Sequence, residues 1–238
     1  MSIPIQKEEQ SQRSYIDSNN NFLRRSTINV IENTPNPKIE HRFIKYPGKE
    51  AVDITDYTKS TEQEAWCEIN LVKKVLRTDN SRLTDIHTHP NKIKGNIDTR
   101  MYSALPSAND MKRFMDNEII NTMVIAVRDV ESGKVSGYHI FKKTKRTKKL
   151  NKDNLTDEIT AYAFSLEIAS GLGQPIEVWE KSFDPLFRAR EFNRVLSNYV
   201  KKWAISRKII AADGYTVDQN HLAFVLVNKH NIVQVDNY

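Results

Sequence analysis

Arg82-Leu83-Thr84-Asp85-Ile86-His87-Thr88-His89-Pro90 and, after a polar stretch, Pro106-Ser107-Ala108-Asn109-Asp110 decide how this chain is read. Arg82 to His87 reads as a short strand that carries the His-x-His pair at its end, with Pro90 closing it. Ser107 followed three residues later by Asp110 reads as a reciprocal capping pair, which predicts a helix over Ser107 to Glu118. A strand delivering two imidazoles and a helix start delivering a carboxylate are therefore neighbours in the sequence.

Alternate side chains of a strand face the same way, with Cα atoms about 6.6 Å apart, so His87 and His89 can converge on one metal ion. Asp110, in the first turn of its helix, points in one fixed direction and can present an oxygen to the same ion. Two neutral nitrogens and one carboxylate oxygen leave the fourth position of a tetrahedral zinc free, the layout of a hydrolytic site. Such a site also needs a general base that is not a ligand. Glu40 is the best placed, opening a strand after Pro35-Asn36-Pro37. Glu50, Glu64 and Glu68 are its rivals, the last two on a solvated helix face. His41 would face away from Glu40 on that strand. With His139, His221 and His230 it reads as structural or surface.

Outward from this segment, residues 1 to about 20 are polar and predict a disordered tail. Phe22 to Asn33 predicts a helix, stopped by Pro35 and Pro37. Ile39 to Tyr46 and Ala51 to Thr55 predict two strands around a Pro47-Gly48 turn. Trp66, Ile69, Val72 and Leu76 lie at helical spacing and predict a helix from Thr61 to Leu76. Thr122 to Arg128 and Val135 to Lys142 predict strands joined at Glu131-Ser132-Gly133. The loop from Asn91 to Leu105 carries Lys92, Lys94, Gly95 and Arg100, and Lys92, Lys94 and Arg100 are candidate substrate contacts over the cleft.

A second region, 151–238, follows a basic run. Leu155 to Ser170 predicts a helix ended by Gly171 to Pro175. Asp184-Pro185 opens another that runs to about Trp203, with an apolar stripe of Leu186, Phe192, Val195, Leu196, Tyr199 and Trp203 that reads as core. His221 to Val227 and Ile232 to Val235 predict a hairpin. The whole is an α/β (α+β) chain, with a domain over 21–150 and a smaller α+β C-terminal region. There is no internal repeat, and Gly171-Leu172-Gly173 lacks the strand and third glycine of a dinucleotide fingerprint.

Composition sets further bounds. The chain has 238 residues, 39% hydrophobic and 28% charged, enough for one large domain or two small ones. No apolar run is long enough to span a membrane, and the N-terminus has no signal pattern, which predicts a cytoplasmic protein. Cys67 is the single cysteine, so an internal disulfide and a four-cysteine zinc site are both excluded. The formal charge is +6, and Lys142 to Lys149 places six basic residues in eight. That run reads first as a solvated linker or strand end and second as a contact for nucleic acid or an acidic protein, with no interleaved aromatics for base stacking.

Glu40, His87-Thr88-His89-Pro90 and Pro106-Ser107-Ala108-Asn109-Asp110 together resemble the JAMM (MPN+) metallopeptidase signature, over roughly Phe22 to Lys142. The resemblance implies a central mixed sheet flanked by helices, as in the MPN and cytidine-deaminase-like folds. It implies one zinc ion held by His87, His89 and Asp110. It implies Glu40 as the base that takes a proton from the attacking water, and Ser107 as a donor to the oxyanion. It implies a peptide or isopeptide substrate, including ubiquitin-like modifiers. The Asn91 to Leu105 loop is longer than that signature's usual connection.

Two other readings compete. A scaffold or RadC-like module would bind nucleic acid or protein without hydrolysis, motivated by the basic run and a pI near 9.2. Asp85-Ile86-His87-Thr88-His89 also looks like the start of an amidohydrolase or phosphoesterase, but that barrel needs more ligands and more chain than follow.

Overall fold

The computed structural model describes residues 25–46, 49–55, 59–60, 65–66, 83–91, 93–94, 97–98, 105–150, 154–169, 185–211, 215–218 and 225–228. In chain order these form α1 (Arg25–Glu32), β1 (Arg42–Lys45), β2 (Ala51–Asp53), β3 (Lys59–Ser60), β4 (Ala65–Trp66) and β5 (Leu83–Asn91). There follow β6 (Ile93–Lys94), β7 (Ile97–Asp98), α2 (Ala108–Asp116), β8 (Ile120–Asp129), β9 (Val135–Lys143) and α3 (Leu155–Ala169). The last are α4 (Pro185–Lys202), β10 (Ile205–Ala211), β11 (Tyr215–Asp218) and β12 (Val225–Asn228).

Six strands make one mixed sheet in the order β10-β9-β8-β5-β1-β2. Only β5 and β8 run parallel, joined by a crossover through α2; the other neighbours are antiparallel. The sheet is open, unlike the closed barrel that the Asp-x-His-x-His reading needs. Central β8 is buried from Thr122 to Arg128, which explains its nearly unbroken apolar run: a strand covered on both faces has no solvated side to alternate with.

Side-chain alternation divides the core in two. On one face, Phe43, Ile86, Val124, Ala126, Tyr138 and Ile140 pack beneath Ile28 and Ile31 of α1. On the other, Met123, Ile125 and Phe141 pack against Met111 and Phe114 of α2, Tyr162 of α3, and Leu196 and Trp203 of α4. Leu155, Tyr162, Leu196 and Trp203 lie beyond the basic run yet share a cluster with Met111 and Phe114, so residues on both sides of position 150 build one core.

Several local expectations need correction. Pro90 does not end its strand, because β5 pairs with β8 through Asn91. Thr88 donates its N–H toward β1, to the His41 carbonyl. Pro90, two residues on, faces the same side beyond the start of β1, where no ladder donor is required. Ala65–Trp66, expected as helix, pairs with Lys59–Ser60 as a strand; the rest of that expected helix lies outside the described residues. Helical spacing offers a face, but the backbone at Ala65–Trp66 satisfies its polar groups by pairing with Lys59–Ser60 instead. Val225–Asn228 pairs upstream with Tyr215–Asp218, and the expected partner at 232–235 lies outside the described residues. The sequence reading places no strand at Ile205–Ala211, which becomes the sheet edge beside β9.

The turn between β8 and β9 is as expected. Asp129 Oδ1 accepts from the Glu131 and Ser132 amides, and Gly133 takes φ 70°, a left-handed value that costs glycine nothing. Arg128 locks this turn to the end of α1. It donates to the Gly133 carbonyl at 2.8 Å, the Glu32 carbonyl at 3.0 Å, and the Thr34 hydroxyl at 2.7 Å and carbonyl at 2.8 Å. The basic run is not a loose linker. Lys143 is buried, and Thr144 and Thr147 each donate to the Ala204 carbonyl at 2.8 Å.

Candidate metal centre

β5 and α2 meet where the site forms. Leu83, Asp85, His87 and His89 share the face of β5 on which α2 lies, and α2 begins just past the carboxyl end of that strand. Open α/β sheets place ligands at such strand ends, since the first turn of the returning helix faces them.

Ser107 is the N-cap of α2, and Asp110 closes a capping box with it. The Asp110 amide donates to Ser107 Oγ at 3.1 Å. The Ser107 amide and hydroxyl both donate to Asp110 Oδ2 at 2.7 Å. This network fixes the carboxylate with its oxygens toward the sheet. Oδ1 lies 3.4 Å from His87 Nε2, and Oδ2 lies 3.7 Å from His89 Nε2. The imidazole centroids are 5.0 Å apart.

Three ligand atoms from His87, His89 and Asp110 lie within 4.8 Å of one another, a grouping that can hold a metal ion. Ligands at about 2.0–2.2 Å on a tetrahedral ion lie about 3.4 Å apart, close to the separations found here. Among the described residues His87 Nε2 is buried and has no hydrogen-bond partner, an orphan that a cation would satisfy. Burial pushes the Asp110 carboxyl up, but the facing His87 and His89 more than reverse this and hold it well below the usual carboxylate range. An ionised acceptor between two imidazoles is the donor set a divalent ion requires.

Glu40 is buried beside this trio, with Oε1 3.8 Å from His89 Nε2. It stands outside the three-residue group. The antiparallel register Arg42↔His87 brings the start of β1 alongside the histidines, and Glu40, two residues before Arg42, shares their face. His41 points to the other face, as alternation predicts, and is buried there. Glu50 is exposed, while Glu64 and Glu68 lie outside the described residues. Lys92 and Arg100 also lie outside them; Lys94 belongs to the small β6–β7 pair. His139 is buried against Phe141, with ring centroids 4.2 Å apart. His221 and His230 are not among the described residues.

Sequence reasoning passed over three supports of the site. Arg42 grips Asp85 through Nε at 2.8 Å and Nη2 at 2.6 Å in a buried bidentate pair. Asp85 is thereby committed to a guanidinium next to His87. Tyr162 of α3 donates its hydroxyl to the Pro106 carbonyl at 3.5 Å, bracing the residue before the cap from the C-terminal half of the chain. Thr88 ties β5 to His41 through both its hydroxyl and its amide. Alternation alone puts Thr88 on the face opposite the histidines, and that was the available signal. The chain matches no family model, no curated protein and no solved structure.

Proposed function

We propose that this chain is a zinc-dependent hydrolase of peptide or isopeptide bonds, of the JAMM kind that its motifs resemble, acting on peptides or ubiquitin-like modifiers. The observation that carries this reading is the convergence of His87, His89 and Asp110 with a buried fourth residue, Glu40, standing against His89 outside the ligand group. A hydrolytic centre uses a carboxylate that stands beside the ion without being a ligand, and Glu40 is so placed. The helix-flanked mixed sheet is compatible with an MPN-like fold.

The chemistry supplied by a bound zinc ion would be Lewis acidity, which polarises the scissile carbonyl and lowers the pKa of water to about 7. Glu40 takes a proton from the attacking water and hands it to the leaving amine. Ser107, whose hydroxyl proton rests on Asp110 Oδ2 in this structure, turns it toward the oxyanion as negative charge develops there. The buried Arg42–Asp85 pair holds the Asp85 carboxylate on a guanidinium rather than among the ligands.

The test is metal analysis of the purified protein together with cleavage of isopeptide-linked and linear modifier fusions. Wild type should hold one zinc per chain and cleave. Glu40→Gln should keep the zinc and lose about 10²–10⁴-fold in kcat. A protein without zinc, or an Asp110→Ala variant with unchanged zinc uptake, rules the site out. Salt-dependent nucleic-acid binding that survives zinc removal, without cleavage, would favour the scaffold reading.

A further inference from the structure

The threonine between the two histidines faces away from them and is fully buried. Its hydroxyl oxygen accepts the His41 N–H at 2.7 Å, and its own N–H donates to the His41 carbonyl at 2.9 Å. The His41 N–H belongs to the peptide bond that joins Glu40 to His41. Thr88 therefore grips the backbone unit from which Glu40 projects. The register of β1 on β5 begins only at Arg42, so the regular ladder does not reach this unit.

The far side of His41 is also anchored. Its Nε2 lies 3.0 Å from the Asn36 carbonyl and its Nδ1 3.4 Å from Thr55 Oγ1. Asn36 adopts φ 49°, and its Oδ1 accepts the Lys38 amide at 3.2 Å, which turns that carbonyl toward the ring. His41 is thus held by its backbone from β5 and by its ring from the approach loop. Glu40 on the opposite face is left against His89.

We propose that Thr88 is a positioning residue which, through the backbone of His41, sets the Glu40 carboxylate beside the metal centre. The proposal rests on the reading of Glu40 as general base. A base acts only within about 2.6–3.2 Å of the proton it takes, and a displacement near 1 Å can cost about 10²-fold in rate. Thr88→Val keeps the shape and removes the acceptor; Thr88→Ser keeps the acceptor.

The experiment combines steady-state kinetics, zinc stoichiometry and amide exchange at His41, the last read in zinc-loaded and zinc-free protein. Wild type should place the His41 amide among the slowly exchanging ones. Thr88→Val should release that amide, keep one zinc per chain, and lose about 10²-fold in kcat with KM within about twofold. Thr88→Ser should restore both protection and kcat. A fast His41 amide in wild type overturns the clasp without any variant, which covers a Thr88→Val protein that fails to fold. Full kcat in Thr88→Val, zinc lost along with rate, or no rescue by Thr88→Ser each overturns the positioning role. If zinc-loaded wild type cleaves nothing, the hydrolase reading and the catalytic role of Thr88 fall together, and the exchange data then decide the clasp alone.

Discussion

Asp110 serves two structures at once. Its Oδ2 accepts from the Ser107 amide and hydroxyl, and its two oxygens face two imidazoles. The carboxylate that closes the cap is also the one that faces the imidazoles, so its direction is settled by the cap. The two roles separate by substitution. Asp110→Asn retains an acceptor for the Ser107 amide but loses the anionic ligand, so zinc content should fall sharply while thermal stability of the metal-free protein changes little. Ser107→Ala should do the reverse. Loss of the N-cap should cost about 1 kcal/mol in urea unfolding while zinc content is kept. If Ser107 also donates to the oxyanion, kcat should drop by roughly 10²–10³-fold. His87, His89, Asp110 and Glu40 were readable as candidates because strand alternation and helix capping are local rules. The supporting roles of Thr88 and Asp85 were not, because their partners, His41 and Arg42, lie more than forty positions upstream.

At the scale of the element, α2 is closed at both ends by side chains. Its N-terminus has the Ser107–Asp110 box. Its C-terminal carbonyls are met by Lys143 of β9, which donates to Asn117 at 2.6 Å and lies near Met115 at 3.4 Å, with Nζ 4.9 Å from the Phe114 ring centroid. Burial, with Lys148 nearby, brings the Lys143 amine from 10.5 down to about 8. A folded value below the unfolded one means that the unfolded chain holds more protons between about 8 and 10.5. Stability contributed by this group should therefore rise with pH across that window, its penalty being full below it. Lys143→Met should flatten the slope of unfolding free energy against pH in that window relative to wild type.

The other end-of-element feature is Ala204, at φ 53° just after α4, a left-handed position where a side chain is strained. Ala204→Gly should stabilise the protein by up to about 1 kcal/mol in urea titration. Its carbonyl, which accepts from Thr144 and Thr147, should keep both bonds. α2 and α4 were legible from capping and proline signals that act within a few residues. β10 was missed because Ile205-Ser206-Arg207-Lys208-Ile209 follows a helix without a turn residue. It becomes a strand through pairing with β9 more than sixty residues earlier.

At the scale of the molecule, the sheet separates two apolar layers, and the layer behind the candidate metal centre is built from both halves of the chain. Tyr162, Tyr199 and Trp203 pack ring against ring with centroids 5.1–5.6 Å apart, and Trp203 donates its indole N–H to Glu158 at 2.6 Å. Arg207 fastens β10 to α4 through Asn193 at 2.7 Å and Ser197 at 3.3 Å. Trp203→Ala should cost about 3–5 kcal/mol in urea unfolding, as for other large buried aromatics. Residues 1–150 expressed alone should unfold without a cooperative transition by circular dichroism, because the α2 face of the sheet would lose α3, α4 and β10. A cooperative transition there would show that the N-terminal part supports its own core. Among the described residues no helix is long and apolar enough to cross a membrane.

The sequence by itself determined which residue types are available and which way each points along its own element. Two imidazoles on one face of a strand, a carboxylate fixed by a cap, and a glutamate and its histidine neighbour on opposite faces all follow from local backbone periodicity and short-range hydrogen bonds. Only the tertiary structure decided that these groups share one volume. The parallel pairing of β5 with β8 lays α2 over the histidines, and the antiparallel register of β1 brings Glu40 beside them. Register and layer packing depend on contacts between residues far apart in the chain, where burial of apolar area and completion of hydrogen bonds outweigh local preference.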